Sequence, residues 1–251
     1  LRLGGSEMGI RDSYKCCVSD GCKQKRIMVQ YFIFFLRGEA YMIAIIDYGA
    51  GNLQSVKKAL DFIGAESLVT SRASEIENAS ACILPGVGSF GDAMNCMTES
   101  GLCEAVKKAA LGSKPFLGIC LGLQLLFDSS EESPGVLGLG ILKGRVKRFP
   151  SDMGLKIPHI GWNSADIKKP CHIYDGIADG SFVYFVHSYY LDAENRSDVA
   201  TKTEYGISFD SSVAVPEINL YATQFHPEKS GRVGLKILEN FAKLGGDTLV
   251  R

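Results

Sequence analysis

The sequence predicts an α/β protein organised as a doubly wound, mostly parallel sheet, and three observations carry that prediction. The stretches Met42–Asp47, Ala81–Leu84 and Phe116–Ile119 are almost continuously apolar, as expected of parallel strands buried on both faces. Each is followed by residues whose apolar positions recur at helical spacing, so strands and helices alternate. Glycine-rich turns close the strands, which directs any site to the carboxyl ends of the sheet.

The chain of 251 residues is long enough to bury a full core, and its 46% apolar and 22% charged content are ordinary for a globular protein. A net charge of −1 gives no support to binding of nucleic acid or of an anionic membrane. The eight cysteines show no CxxC spacing after residue 22, so neither a metal site nor another cofactor is expected. They read as reduced intracellular thiols, which points to the cytoplasm.

Residues 1–41 stand apart. They hold seven Lys/Arg against four Asp/Glu and show no sustained period of 2 or 3.6. A basic cluster, Lys23–Arg26, precedes an apolar run, Ile27–Leu36, that is too short to cross a bilayer as a helix. The arrangement has the outline of a signal peptide, but no small-x-small cleavage site follows and Met42 opens directly into a strand. The expectation is a non-native or upstream-translated, disordered leader over 1–41 and one domain over 42–251.

From Met42 the elements follow in order. After the first strand, Tyr48–Asn52 turns the chain, with Asn52 placed to cap a helix that carries Leu53, Val56, Leu60 and Ile63 on one face and stops at Gly64. Gly49-Ala-Gly51 lacks the third glycine and the later acidic residue of a dinucleotide fingerprint, so it is read as a turn. A strand at Ser67–Thr70, a short helix near Ser74–Asn78 and the strand from Ala81 come next. Helix then runs from about Gly91 to Leu111, broken near Gly101, before the strand Lys114–Ile119. Beyond Phe127 the pattern changes: Val136–Ile141 is loop-like, Lys143–Phe149 a short strand, and Phe182–Tyr190 strongly β-prone. Val199–Thr203, Ser208–Val215 and Leu220–Phe225 read as antiparallel strands, and Gly231–Leu244 as a closing amphipathic helix.

The chemistry centres on Cys120. An apolar strand stops there and an apolar helical pattern begins one residue later, with Gly118 and Gly122 on either side. A strand that turns at once into a helix strains the backbone at its corner and lifts that side chain above the sheet. The helix N-terminus favours a thiolate there. A cysteine serving only as a small buried hydrophobe would leave both glycines unexplained, since no packing need for the pair is evident in the sequence. Such a thiol suits a protease, an esterase or an amidase. It needs a base and a group to orient that base. Among the histidines, His226 ends a strand and has Glu228 two residues on, on the same side of an extended segment. Pro85-Gly-Val-Gly88 ends another strand, where Val87 and Gly88 can turn backbone N–H groups toward an oxyanion, with Leu121 as a further donor.

Gly118-Ile-Cys-Leu-Gly-Leu-Gln124, His226-Pro-Glu228 and Pro85-Gly-Val-Gly88 together resemble the class I, or triad, glutamine amidotransferases. Asp47–Leu53, Pro158–Asn163, His187-Ser-Tyr189 and Phe225–Ser230 narrow the resemblance to the glutaminase subunits of imidazole glycerol phosphate synthase, in histidine biosynthesis. The resemblance covers nearly all of 42–244. It implies a flavodoxin-like three-layer fold with a mostly parallel central sheet and an additional antiparallel portion. It implies that Cys120 attacks the side-chain amide of L-glutamine, that His226 moves the protons and that Glu228 orients it. Gly86, Gln124, His187, Ser188 and Tyr189 match positions lining the glutamine pocket. Asn52, Trp162, Tyr184 and Lys229 match positions at the partner interface or ammonia exit. The implied partner is a (β/α)8-barrel cyclase that receives the ammonia. Alternatives are another triad amidotransferase, such as an anthranilate or aminodeoxychorismate synthase glutaminase, and a catalytically silent scaffold.

Overall fold

The computed structural model describes residues 41–245, and the leader expected over residues 1–41 lies outside them save for Tyr41, which packs against the core. Five strands form the parallel part of the sheet: β1 (Ile43–Ile46), β2 (Ser67–Thr70), β3 (Ala81–Gly86), β4 (Phe116–Cys120) and β12 (Leu220–Thr223). Their order, β2-β1-β3-β4-β12, is the doubly wound order in which ligands sit beyond the carboxyl ends. The sheet continues antiparallel through β11 (Ser208–Val215), β10 (Val199–Glu204), β7 (His159–Ile167) and β8 (Ser181–His187). Three further strands, β5 (Ser129–Ser130), β6 (Gly144–Arg148) and β9 (Tyr189–Ala193), branch from β11.

Six helices flank this sheet among the described residues: α1 (Leu53–Phe62), α2 (Ala73–Asn78), α3 (Phe90–Glu99), α4 (Cys103–Leu111), α5 (Leu121–Leu125) and α6 (Gly231–Lys243). The pleat of β1 shows why an all-apolar strand is needed. Ile43 and Ile45 enter the core shared with Val56 and Leu60 of α1 and with Ile237, Leu238 and Phe241 of α6. Ala44 and Ile46 enter the opposite core, with Phe90 and Met97 of α3 and Val106 of α4. Two apolar cores sandwich one sheet, giving the flavodoxin-like three-layer arrangement. The break expected near Gly101 is a turn between α3 and α4, with that glycine at φ +70°. No helix among the described residues is long and apolar enough to cross a membrane.

Three expectations are corrected. The strand read over Leu220–Phe225 ends at Thr223 and is not simply antiparallel. It pairs antiparallel with β11 but parallel with β4, Tyr221 lying opposite Leu117. All four of its residues are buried, which is the mark of a central strand. The segment Phe182–Tyr190 is two strands parted at Ser188, because β8 pairs with β7 while β9 leaves to pair with β6 and β11. Asn52 makes no side-chain cap to α1, its backbone at φ −89° and ψ 62° lacking the extended geometry of a capping residue. The helix after Cys120 is short, five residues, before the chain turns toward β5.

Candidate active site

The end of β4 is a strained corner. Cys120 has φ 55° and ψ −107°, a region that residues other than glycine rarely enter. The flanking glycines do have a packing reason, contrary to the expectation. A Cβ on Gly122 would stand 1.8 Å from the Leu84 carbonyl oxygen of β3, and one on Gly118 would stand 3.0 Å from the Gly122 oxygen and 3.1 Å from Ala222 Cβ of β12. The sharp turn thus brings the first turn of α5 onto β3, where only glycine fits at position 122, and leaves little room for a side chain at position 118 between that turn and β12.

Because β12 lies beside β4, the residues after it arrive next to Cys120. His226 Nδ1 is 2.8 Å from Glu228 Oε1, and the two side chains are 2% and 1% exposed. The pairing expected from the i, i+2 spacing is present, but its backbone is a 3-10 turn, Pro227–Lys229, rather than an extended strand. Burial alone would depress the imidazole pKa. The adjacent Cys120 thiol and the Glu228 carboxylate outweigh it and hold the pKa well above the ordinary histidine value. His226 Nδ1 is taken by Glu228, so Nε2 is the nitrogen left for the Cys120 thiol, though no bond to it falls within ordinary hydrogen-bond geometry.

Strand β8 locks this histidine from behind. His226 N donates to the Tyr184 carbonyl at 2.9 Å, Tyr184 N donates to Ser230 Oγ at 2.9 Å, and that hydroxyl donates to the His226 carbonyl at 2.6 Å. Tyr184 also faces Trp162 across the β7–β8 pair, with ring centroids 6.1 Å apart, and Trp162 is 54% exposed. Lys229 ends the 3-10 turn, and α1, which opens after Asn52, packs against it.

On the other side of β4, Gly86 lies in register with Cys120. A Cβ there would come within 2.6 Å of the Tyr48 hydroxyl and 2.8 Å of Leu121 Cβ, so the backbone runs close to the helix start. Val87 is 40% exposed and Gly88 has φ +98° with open space around it, so these two residues leave the sheet immediately after Gly86.

The expected pocket residues are knitted together by hydrogen bonds. Gln124 Nε2 donates to the Tyr189 carbonyl at 3.2 Å and to Gln224 Oε1 at 3.0 Å. His187 spends both ring nitrogens internally, Nδ1 against the Tyr189 carbonyl at 2.8 Å and Nε2 against His159 Nδ1 at 3.0 Å. Burial pushes the pKa of His159 down to about 4 and that of His187 down to about 3. Ser188 enters through its carbonyl, which accepts from Phe149 N at 3.2 Å. Three residues of the site were not singled out by the sequence reading: Tyr48, His159 and Gln224. Tyr48 and His159 stand inside the motifs Asp47–Leu53 and Pro158–Asn163, whereas Gln224 lies just outside Phe225–Ser230 but precedes His226 by two positions, so strand periodicity was a usable signal. A shallow groove of about 480 Å3, lined by Lys168, Lys169, Arg196 and Lys202, shares no residue with this site, and Arg196 is held there by two 2.6 Å bonds to Asp210.

Residues 44–244 match the family model described as glutamine amidotransferase class-I. The chain is 50% identical over 203 residues to the imidazole glycerol phosphate synthase subunit HisH of Caldanaerobacter subterraneus, covering 81% of this chain and 98% of that protein. It is 51% identical over 200 residues to the protein of the same name from Aquifex aeolicus, covering 79% and 95%. Among solved structures, a glutamine amidotransferase superposes with a TM-score of 0.63 at 20% identity, covering 81% of this chain and 98% of the other. PurLQS from Thermotoga maritima superposes with a TM-score of 0.64 at 18% identity, covering 82% and 99%. These two likenesses speak to the fold alone.

Proposed function

Because the chain belongs to the class I glutamine amidotransferase family, we propose that Cys120, His226 and Glu228 form its catalytic triad. The chain is the glutamine amidotransferase subunit of an imidazole glycerol phosphate synthase, in histidine biosynthesis. One observation carries the triad: a thiol on a positive-φ corner of β4 beside a buried His226–Glu228 pair supplied by the adjacent parallel strand.

The Cys120 thiolate attacks the side-chain carbonyl carbon of L-glutamine, and charge develops on the oxygen. Backbone N–H groups of Val87, Gly88 and Leu121 receive that oxyanion. Collapse breaks the C–N bond, His226 gives its proton to the leaving nitrogen, and a γ-glutamyl thioester and ammonia result. His226 then takes a proton from water, which attacks the thioester and releases glutamate. Glu228 holds the ring in one orientation and stabilises its charged form. Gly86, Gln124, His187, Ser188 and Tyr189 line the glutamine pocket. Both N–H groups of Gln124 are used internally, so its carbonyl oxygen is the end offered to a ligand.

As a subunit the chain has a partner, and the partner we propose is a (β/α)8-barrel cyclase. It consumes the ammonia with phosphoribulosyl-formimino-AICAR phosphate, forming imidazole glycerol phosphate and AICAR ribotide. Ammonia loose in neutral water becomes protonated and loses its nucleophilicity, so direct transfer has a chemical reason. Asn52, Trp162, Tyr184 and Lys229 form the docking face and ammonia exit, an assignment supported by the exposure of Trp162 beside Tyr184, whose carbonyl accepts from His226 N. Docking reorients a peptide of the Pro85–Gly88 segment, so that its N–H faces the oxyanion and the poised thiol becomes active.

The test is a glutaminase assay with and without a cyclase subunit and its substrate. Cys120→Ala is expected to abolish glutamine-dependent turnover while added ammonia still supports cyclisation. Equal glutamine hydrolysis by the isolated chain and the complex would remove the gating part of the proposal.

A further inference from the structure

We propose that Gln224, outside the triad, is a hydrogen-bond donor to the Cys120 sulfur, its amide held in one orientation by Gln124 and the Tyr189 carbonyl, from which a buried relay also runs through two histidines to Asn163. The proposal rests on Cys120 being the nucleophile. Gln224 is fully buried, and its Nε2 lies 3.6 Å from Cys120 Sγ.

The orientation of that amide follows from groups that can act in only one way. A backbone carbonyl only accepts, so the Tyr189 oxygen fixes Gln124 with its NH2 end inward, at 3.2 Å. The second hydrogen of that NH2 goes to the neighbouring amide at 3.0 Å, which must therefore present Oε1 of Gln224. The remaining end of Gln224, its NH2, faces sulfur. A reversed amide would set NH2 against NH2 and oxygen against sulfur.

The same carbonyl fixes the histidines. His187 Nδ1 must carry its hydrogen toward the Tyr189 oxygen, leaving Nε2 to accept from His159 Nδ1 at 3.0 Å. His159 Nε2 is then bare and faces Asn163 Nδ2 at 3.4 Å, a group that also donates to the Glu204 carbonyl at 2.8 Å. Each ring has one tautomer and is neutral, consistent with their depressed pKa values. Gln124, His159 and His187 are 5%, 3% and 6% exposed, so water does not compete with the relay.

A neutral donor suits this position. An N–H group bonds an anionic sulfur more strongly than a thiol, and a buried anion without donors is costly. His226 must release and regain its proton during turnover, so it cannot serve the sulfur at every step. Gln224 can, because nothing in the cycle changes its protonation.

The experiment measures iodoacetamide alkylation of Cys120 in the full chain from pH 5 to 9, following the Cys120 peptide by mass spectrometry. Gln224→Met removes the donor at similar volume, and Gln224→Glu presents an acceptor to the sulfur. In both, the alkylation rate at pH 7 is expected to fall about tenfold or more, as loss of a charge-assisted hydrogen bond implies, with the pH profile displaced to higher pH. In the complex, kcat is expected to fall with the glutamine KM little changed. Profiles that coincide with the parent in folded variants would overturn the proposal. So would failure of both variants to fold, which would make Gln224 a core strut. If Cys120 of the parent reacts no faster than an ordinary thiol, the nucleophile reading fails instead, and the two failures are told apart.

Discussion

The Glu228 carboxylate stands 2.8 Å from His226 Nδ1, with both side chains closed off from solvent. A buried charge survives only when paired, so this contact sets the ring's orientation and, together with the Cys120 thiol, raises its affinity for a proton.

Glu228→Gln keeps the shape and loses the charge. Glutamine turnover in the complex is expected to fall by about two to four orders of magnitude, chiefly in kcat. Steady-state kinetics with glutamine decide it, with ammonia-dependent cyclisation as the unaffected control.

The same pair gives a pH signature. His226 titrates well above its unfolded value, so its stabilising contribution is complete below about pH 6.5 and is lost as the pH rises toward the folded value. The stability lead of the parent over Glu228→Gln is therefore expected to be largest near pH 6 and to shrink by pH 9. Urea unfolding at both pH values measures it. A lead that grows with pH would contradict the ion pair.

The relay histidines act with the opposite sign. His159 and His187 titrate at about 4 and about 3 when folded, so the neutral rings stabilise the protein above about pH 6.5 and that stability is lost on acidification. Each ring is expected to contribute up to about 1.4 kcal/mol per pH unit to the slope between pH 6 and 4. His159→Gln should flatten the dependence of urea stability on pH in that window.

The glycines separate strain from collision. Gly122→Ala would drive a methyl into the Leu84 carbonyl at 1.8 Å, and a loss of about 3 kcal/mol or more is expected. Gly88→Ala meets open space and pays only for φ +98°, about 1–2 kcal/mol. Denaturant midpoints of the two variants rank them.

At the proposed docking face, Trp162→Ala removes an exposed ring and is expected to leave the melting temperature of the free chain nearly unchanged. Stimulation of glutaminase by the cyclase should drop about tenfold or more, as for loss of an interfacial aromatic anchor. Equal stimulation in parent and variant would place the interface elsewhere.

The sequence by itself determined the local chemistry. Apolar runs and helical spacing identified β1, β3, β4 and their helices, because periodicity depends only on near neighbours. The Cys120 corner and the His226–Glu228 pair were legible for the same reason: each is set within a few residues. Tertiary structure decided what lies beside what. Leu220–Phe225 reads as one strand of an antiparallel run, yet the placement of Leu220–Thr223 against β4 brings His226 to Cys120, and that pairing spans about a hundred residues. The Gly118 and Gly122 requirement, the Tyr184 lock on His226 and the direction of the Gln224 amide also arise only across strands. Hydrogen-bond polarity and burial belong to the assembled core, where a carbonyl on one strand dictates which way an amide on another must face.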